Sequence, residues 1–247
     1  MGNENSAEIA AGYIENELKA QPTVYDISAS REITGKDTQA KSDRLPYLAL
    51  KRAADIVCSL IGLVILSPFL AILAIIIPLE SGGFPLYAQK RIGINGKEFK
   101  LYKLRSMYAR NKPIEEIFTP EQLEQYRREF KVDDDPRVTR VGRIIRKYSI
   151  DELPQLINIL AGDLSIIGPR PIVKQELEKY GTQAEEFLSV KPGLTGYWQA
   201  YARNNAGYED GRRQRMELYY IENRSLRLDV KIFFRTVLSV LCARGAK

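Results

Sequence analysis

The longest apolar stretch of the chain runs from Ile56 to Leu79, and no side chain within it carries a charge. As one α-helix it would measure about 36 Å, which is enough to cross the hydrocarbon core of a bilayer. The alternative is a helix buried in a soluble core, but such helices are rarely apolar on every face over this distance. The pattern therefore predicts insertion into a membrane.

Ser67 and Pro68 lie at the middle of this stretch, where proline removes a backbone hydrogen bond and clashes with the preceding turn. Each half would be about 18 Å long, which reaches the middle of a bilayer without crossing it. Positive charge favours the cytoplasmic side, and both flanks are basic. The pattern therefore predicts a re-entrant helix–break–helix in preference to a single kinked span. The flanking basic residues are Lys51 and Arg52 before the stretch and Lys90, Arg91, Lys97 and Lys100 after it.

Three further patterns predict secondary structure beyond the apolar stretch. Residues 84–107 alternate apolar and polar side chains around Asn95-Gly96, which predicts a β-hairpin. Residues 113–131 have the charge pattern of an amphipathic helix. Residues 228–241 place their apolar side chains on one helical face, which suits either core packing or the surface of a membrane.

These elements predict an α+β fold: a mostly helical monotopic membrane protein with a re-entrant membrane helix and a small β-hairpin. Residues 1–45 are polar and lack the apolar core of a signal peptide, so they are interpreted as an N-terminal tail without an assigned role. Residues 46–82 form the predicted membrane segment. Residues 83–247 form the predicted catalytic domain, in the cytoplasm or at the interface.

The net charge of +6 and the isoelectric point near 9.2 favour a polyanionic partner. Nucleic acid, an anionic membrane and a phosphorylated substrate all meet that description. A long apolar segment and the lack of any recognisable nucleic-acid-binding motif argue against nucleic acid.

The sequence contains no histidine, which excludes imidazole as base, nucleophile or metal ligand and leaves acid–base chemistry to carboxylates. The two cysteines, Cys58 and Cys242, lie far apart in apolar stretches and fit neither a disulfide framework nor a zinc site. Both are predicted to be buried thiols.

Asp151 and Glu152 form an acidic pair at a predicted helix start, because apolar residues recur at helical spacing after them. Ser149 and Glu152 have the spacing of a capping box, although Pro154 fits the first turn better if Asp151 is the cap. Backbone N–H groups at a helix start favour negative charge, which would keep Asp151 ionised. The pair can therefore supply a nucleophile and ligands for Mg²⁺, or it can simply cap the helix.

Arg170 lies in the segment Gly168-Pro169-Arg170-Pro171, where two prolines and a glycine restrict the backbone around one guanidinium. A guanidinium fixed in this way suits bidentate binding of phosphate. An ordinary exposed turn is the alternative interpretation. Upstream of the acidic pair, Arg146 can bring a second positive charge towards it.

Together these motifs resemble the bacterial sugar transferase family, the monotopic phosphoglycosyl transferases that begin capsule, exopolysaccharide and glycoconjugate synthesis. The resemblance covers about residues 46–247. The segments that carry it are KRAADIV with LSPF, RIGINGKEFKLYKLRSM, DPRVTRVGRIIRKYSIDELPQLINILAGDLSIIGPRP and KPGLTGYWQAYARN.

The resemblance implies a two-step reaction. Asp151 would attack the sugar-bearing phosphorus of a UDP-sugar and release UMP, and undecaprenyl phosphate would then take the phosphosugar from the enzyme. The resemblance also implies a requirement for Mg²⁺, bound by Glu152 and Asp151. It implies that Arg170 binds phosphate, that Arg146 supports the site, and that Ser67-Pro68 is the helix break. Arg203 and Asn204 match a motif near the donor site.

The expected partners are therefore a UDP-sugar donor, the undecaprenyl phosphate acceptor and membrane lipid, without nucleic acid. The family also allows a homodimer and contacts with downstream glycosyltransferases. The expected location is the bacterial inner membrane, with the active site on its cytoplasmic face. The alternative function is a membrane-anchored scaffold whose acidic pair only caps a helix. No motif in the sequence identifies the sugar.

Overall fold

The computed structural model describes residues 45–109, 112–129, 132, 134–202, 208 and 210–241. The chain divides between Leu45 and Pro46, and the account below concerns the second unit. The predicted tail lies outside the described residues, apart from Leu45. The assignment of 46–82 and 83–247 to separate parts stays a prediction.

Ten α-helices and four strands make up the described part of the chain. In chain order they are α1 (Leu45–Ser81), β1 (Leu86–Ile92), β2 (Glu98–Leu104), α2 (Ile114–Ile117), α3 (Pro120–Glu129), α4 (Arg140–Lys147), α5 (Gln155–Ala161), β3 (Ser165–Ile167), α6 (Lys174–Leu177), α7 (Ala184–Phe187), β4 (Gly193–Thr195), α8 (Tyr197–Ala202), α9 (Arg212–Asn223) and α10 (Leu226–Leu241). Short 3₁₀ turns lie at Ile94–Gly96, Ile150–Glu152 and Glu178–Gln183. The predicted fold class, mostly helical α+β, is confirmed.

Helix α1 is long and apolar enough to cross a membrane, and only 11% of its most apolar 18-residue window is buried in the protein. It is helical through the predicted break, with Pro68 and Pro78 both inside it. Ser67 Oγ donates a 2.8 Å hydrogen bond to the carbonyl of Val64, which adds a local bond near Pro68. Each proline removes one backbone hydrogen bond from this long helix, and the hydrogen bonds of the neighbouring turns remain.

Both ends of α1 are held by polar contacts to the rest of the unit. Near the start, Asp55 accepts hydrogen bonds from Ser165 Oγ at 3.1 Å and from the Ile166 N–H at 2.9 Å. Near the end, the Glu80 carboxylate accepts from the backbone N–H groups of Arg140 and Val141 at 2.8 and 2.9 Å. Two ends fixed to one polar body favour a monotopic arrangement over a span with its ends on opposite sides.

The basic residues at the start of α1 bind distant parts of the unit. Lys51 Nζ lies 2.7 Å from Asp229 of α10, and the Arg52 guanidinium donates to the carbonyls of Ile159 and Leu160 at the end of α5. The carbonyls at a helix end lack intrahelical partners, which makes them good acceptors for an arginine.

The predicted β-hairpin is confirmed. Strands β1 and β2 pair antiparallel from Leu86 with Leu104 to Ile92 with Glu98. Asn95 has a left-handed backbone with φ of 55°, a conformation that asparagine tolerates well. The Asn158 side chain of α5 bonds the backbone of β2 at Tyr102 N–H and at a neighbouring carbonyl, so the hairpin is tied to α5.

The main core lies behind a second small sheet, in which β3 and β4 pair in parallel through Ser165 with Gly193 and Ile167 with Thr195. Buried side chains from α9, α10 and the segment after β3 surround this sheet. They include Ile172, Phe187, Tyr220, Ile221 and Ile232. The sheet fixes the loop that follows β3, which carries Arg170.

Large apolar side chains remain exposed on four helices of one unit, and they are defined here as the apolar surface. Val64 is 73% exposed and Leu79 is 82% exposed. So many exposed apolar side chains differ from the surface of a soluble protein, where exposed apolar residues are usually scattered singly. Within the described part of 158–225, no large hydrophobic residue is exposed. Its members are Val57, Leu60, Ile61, Val64, Ile65, Phe69, Ile72, Ile75, Ile76 and Leu79 of α1, Ile144 of α4, Ile157 of α5, and Leu226, Val230, Phe233, Phe234, Val237 and Leu238 of α10.

Cys58 of α1 is a free thiol and is exposed. The prediction that it is buried is wrong, because it faces outward on a helix that is covered by protein on only one side. Cys242 lies outside the described residues.

Candidate active site

The acidic pair lies in the 3₁₀ turn Ile150–Glu152, directly before α5. Ser149 begins the turn with a left-handed backbone at φ of 55°, and its side chain makes no capping hydrogen bond to the turn. Pro154 occupies the cap position of α5, where its missing N–H costs nothing. The spacing of a capping box is therefore not matched by a side-chain cap from Ser149.

Two cations approach Glu152 from different parts of the fold. Lys103 Nζ of β2 lies 2.9 Å from Glu152 Oε1, and a nitrogen of Arg170 lies 3.8 Å from the same oxygen. Glu152, Lys103 and Arg170 all line one small cleft, and Asp151 is the residue before Glu152 in the same turn. The side chains that line the cleft are Arg91, Leu101, Lys103, Glu152, Gln155, Arg170, Pro171, Leu194 and Gln199.

The alternation of β2 explains how Lys103 reaches the cleft. Leu101 and Lys103 share one face of the strand, and Leu101 is buried against Leu156 and Ile159 of α5. Lys103 therefore points towards the turn at the start of that helix. Lys100, on the opposite face, is exposed.

Arg170 is held by close backbone packing around β3 and β4. The Gly168 N–H donates to the Thr195 carbonyl at 2.9 Å, and the Gly193 N–H donates to the Pro169 carbonyl at 2.8 Å. A side chain on Gly196 would place its Cβ 2.1 Å from the Gly168 carbonyl oxygen. This packing confirms that the backbone around Arg170 is restricted.

Glu217 of α9 lies behind the Arg170 loop and is fully buried. Its carboxyl accepts a 3.2 Å hydrogen bond from the Arg170 backbone N–H. Burial raises the pKa of Glu217 to about 7, although the charges of Arg213 and Arg170 and the bond from Arg170 act in the opposite direction. The Arg170 loop thus rests on a carboxyl group that can change its charge near neutral pH.

A second buried carboxylate, Glu176, joins several elements around the cleft. Arg91 of β1 lies 3.2 Å from it, Arg213 lies 3.4 Å from it, and the Tyr208 hydroxyl donates to it at 2.7 Å. Burial alone would raise the pKa of Glu176, but Arg213, Tyr208 and Arg91 together lower it. Arg91 also donates to the Pro171 carbonyl, so this charged group supports the same loop from the other side.

The structure brings Glu152 and Arg170 together beside Asp151. Arg146 is half-buried in the last turn of α4. The charge of Arg146 acts on Asp135. Burial raises the pKa of Asp135, but its hydrogen bonds with Arg137 and, to a smaller extent, the charge of Arg146 lower that pKa overall. The predicted donor-site residues Arg203 and Asn204 lie outside the described residues. Ser67 and Pro68 lie within α1, away from this cleft.

Sequence analysis did not assign Lys103, Arg91, Gln155 and Gln199 to the site. The sequence places Arg91 among the basic residues that flank the apolar stretch and gives no role to Lys103. The signal that identifies Lys103 is its place on the apolar face of β2, two residues after Leu101, because a lysine there must either pair with a carboxylate or line a cleft. No comparable pattern identifies the two glutamines.

The acidic pair has the chemistry of a magnesium site. Proteins usually bind Mg²⁺ through one or two carboxylates together with substrate phosphates and water. In the described part of the chain no group of three metal-binding side chains is present. The two adjacent carboxylates, Asp151 and Glu152, nevertheless fit an ion whose remaining ligands come from the substrate.

Comparison with known proteins identifies relatives over the same region. The protein is 41% identical over 199 residues to "Exopolysaccharide production protein ExoY" of Sinorhizobium fredii, which covers 79% of this chain and 87% of the relative. It is 42% identical over 200 residues to "Undecaprenyl-phosphate galactose phosphotransferase" of Salmonella typhimurium, covering 80% of this chain and 41% of that longer protein.

A third relative, from Aeromonas hydrophila, is "UDP-N-acetylgalactosamine-undecaprenyl-phosphate N-acetylgalactosaminephosphotransferase", with 37% identity over 206 residues, 81% of this chain and 46% of that protein. The profile of the family described as "Bacterial sugar transferase" matches residues 46–243. This match covers the whole described unit, including the acidic pair and the Arg170 loop. The chain therefore belongs to the bacterial sugar transferase family.

Proposed function

We propose that this protein transfers a sugar 1-phosphate from a UDP-sugar to undecaprenyl phosphate at the membrane surface, as the first step in the synthesis of an exopolysaccharide, capsule or glycoconjugate. The observation that carries the proposal is the cleft lined by Glu152, Lys103 and Arg170, with Asp151 directly before Glu152 in the chain. Cations beside a carboxylate pair suit a substrate that carries a diphosphate. The names of the relatives from Salmonella and Aeromonas agree with this reaction class.

In the first step a carboxylate oxygen of Asp151 forms a bond to the sugar-bearing phosphorus of the donor. The bond between that phosphorus and the bridging oxygen breaks, and UMP leaves with the electron pair. The product is a phosphosugar attached to Asp151 as an acyl phosphate. Asp151 suits this role because it lies in the same turn as Glu152, which lines the cleft, and is only partly buried.

In the second step an oxygen of undecaprenyl phosphate attacks the same phosphorus. The bond to Asp151 breaks, its electron pair returns to the carboxylate, and undecaprenyl diphosphate sugar is released. Both attacking groups are anions, so neither step needs a base to remove a proton. This suits a chain that contains no histidine.

In this proposal the cations of the cleft provide most of the stabilisation of negative charge on the reacting phosphates. Arg170 presents a planar guanidinium suited to phosphate oxygens, and Lys103 supplies a point charge while it holds Glu152 in place. When bound between Asp151 and Glu152, Mg²⁺ would reduce the repulsion between the carboxylates and the donor phosphates. Arg146 would add a more distant positive charge.

The apolar surface provides the second requirement, access to a lipid-bound acceptor. Insertion of this surface into one leaflet would hold the cleft close to the headgroups, where a soluble donor and undecaprenyl phosphate can meet. The same arrangement supports placement on the cytoplasmic face of the bacterial inner membrane, where UDP-sugars are made. A homodimer and contacts with later glycosyltransferases remain expectations from the family.

Purified protein with Mg²⁺, undecaprenyl phosphate and a panel of UDP-sugars tests the proposal through the release of UMP. We expect release with one donor or a few of them, and loss of release when Mg²⁺ is chelated. With labelled donor and no acceptor, the label should remain attached to the protein. Absence of UMP release with every donor would overturn the proposed reaction.

Asp151→Asn tests the assignment of the nucleophile. We expect it to fold normally, to retain no label and to lose UMP release, whereas Asp163→Asn should behave like the unchanged protein. Asp163 is a suitable control because it is half-buried at the other end of α5. If Asp151→Asn were fully active, the acidic pair would not supply the nucleophile, and a scaffold role would become the better interpretation.

A further inference from the structure

Two helices at the margin of the apolar surface each carry a row of basic side chains. These are Arg140, Arg143 and Lys147 of α4 and Arg227, Lys231 and Arg235 of α10. We call these six residues the cationic rim. Their relation to α1 indicates what they bind.

On α10 the three cations are spaced by four residues, so they form one row along the helix. The row borders the exposed apolar side chains, such as Phe234 at 61% exposure. The acidic residue of this helix, Asp229, is buried on the other side and pairs with Lys51 of α1. The basic row therefore lies on the side of α10 that faces away from α1.

Arg235 has a further contact that fixes the position of the row. Its guanidinium lies 4.2 Å from the centre of the Tyr201 ring of α8. An arginine on an aromatic ring, next to a helix with an exposed apolar stripe, is typical of the boundary between lipid tails and water. Arg227 and Lys231 are exposed at the same border.

Helix α4 repeats this arrangement near the other end of α1. Ile145 packs on Leu73 and Ile77 of α1, whereas Ile144 is 59% exposed as part of the apolar surface. Arg140, Arg143 and Lys147 are all exposed, and α4 itself contains no carboxylate, although the Glu80 carboxylate of α1 lies at its first turn beside Arg140. This second row also borders apolar side chains.

We propose that the cationic rim binds the headgroups of anionic phospholipids, so that the protein selects an anionic lipid environment. The apolar side chains set the depth of α4 and α10, which brings the neighbouring cations to the level of the headgroup phosphates. Basic residues near a bilayer surface are attracted to anionic lipid, and the attraction adds over several residues. The proposal rests on the membrane placement given above, but not on the reaction.

The separation of the two rows favours phospholipid over the lipid acceptor as the ligand. Helix α10 contacts α1 at Lys51, and α4 contacts it at Leu73 and Ile77, more than twenty residues later. One phosphate cannot serve both rows. A bilayer supplies many headgroups at once, which matches two separate rows.

The test is to extract the full chain from membranes in polymer-bounded lipid particles, without detergent, and to measure the retained lipids by mass spectrometry. We expect anionic phospholipids to be enriched about twofold or more over the bulk membrane. Two triple variants, R140Q/R143Q/K147Q and R227Q/K231Q/R235Q, should each reduce this enrichment. Combining them should abolish it.

The matched control is K174Q/K179Q/R215Q, which removes three exposed cations from 158–225, where the described residues include no exposed large hydrophobic side chain. This control should leave the enrichment unchanged. Equal enrichment in all folded variants, or equal loss in the control, would overturn the proposal. Loss of undecaprenyl phosphate instead of phospholipid from the rim variants would also overturn it and assign the rim to the acceptor. The readout is lipid content, so an inactive protein would not affect it.

Discussion

Lys103 Nζ and Glu152 Oε1 lie 2.9 Å apart, and this ion pair joins the β-hairpin to the turn that carries the acidic pair. Both side chains are largely buried, so the pair is screened less by water than a surface ion pair. The ion pair also fixes the carboxylate of Glu152. Asp151 precedes Glu152 in the same turn. The geometry of the cleft therefore depends on a contact between segments about fifty residues apart.

Replacement of Lys103 tests that contact. We expect Lys103→Met to lower kcat/KM for UMP release by about 10- to 100-fold, because a charge-assisted hydrogen bond and a cation near the donor are both lost. Lys103→Arg should retain more activity than Lys103→Met. Lys97→Met, in the exposed turn of the same hairpin, is the control and should have no effect. Full activity of Lys103→Met would show that the ion pair has no role in the reaction.

Gly196→Ala tests the packing behind Arg170. The new Cβ would lie 2.1 Å from the Gly168 carbonyl oxygen, and neither backbone can move without disturbing the sheet of β3 and β4. We expect a loss of about 1–3 kcal/mol in the free energy of unfolding, visible as a lower Tm, together with reduced activity from a displaced Arg170. An unchanged Tm would mean that the loop is more adaptable than its contacts indicate.

Asp55→Ala tests the anchor of α1. Removal of this carboxylate leaves the Ser165 hydroxyl and the Ile166 N–H buried without their acceptor, so we expect a loss of about 2–4 kcal/mol and a clear fall in Tm. Ser59→Ala, one turn later, is the matched control. Ser59 Oγ is buried and makes no hydrogen bond within the described part of the chain, so its removal should leave Tm unchanged or raise it. Equal effects at both positions would contradict this explanation.

Glu217 should make stability depend on pH near neutrality. Burial raises its pKa from 4.5 to about 7, so between these values the native protein retains a proton that the unfolded chain has released. The contribution from neutral Glu217 is therefore complete below about pH 4.5 and declines as pH rises through 7. We expect Tm to be lower at pH 8 than at pH 6.

Glu217→Gln should reduce this difference, because an amide stays neutral at both pH values and can still accept from the Arg170 N–H. The control is Glu222→Gln, an exposed position on the same helix, which should preserve the full pH dependence. A variant at Glu217 that keeps the full difference would assign the dependence to another group.

Much of the site follows from short-range patterns. The resemblance of the motifs to one family assigned roles to Asp151, Glu152 and Arg170, and the structure places Glu152 and Arg170 beside one cleft. The Ser149–Glu152 spacing does not produce a side-chain cap from Ser149, because spacing alone does not fix the backbone and Ser149 adopts a left-handed conformation. Asp55 likewise bonds β3 rather than a neighbouring cation, since its partners come from more than a hundred residues away.

The sequence by itself determined the apolar helix, the hairpin and the residues of the acidic pair, because each depends on local periodicity or on a contiguous motif. Only the tertiary structure decided that Lys103 faces Glu152, that Glu217 and Glu176 support the Arg170 loop, and that both ends of α1 contact one body. These relationships join side chains distant in the chain, and their energies depend on burial and pairing that periodicity does not encode. Tertiary packing therefore turns a sequence motif into a site with defined geometry.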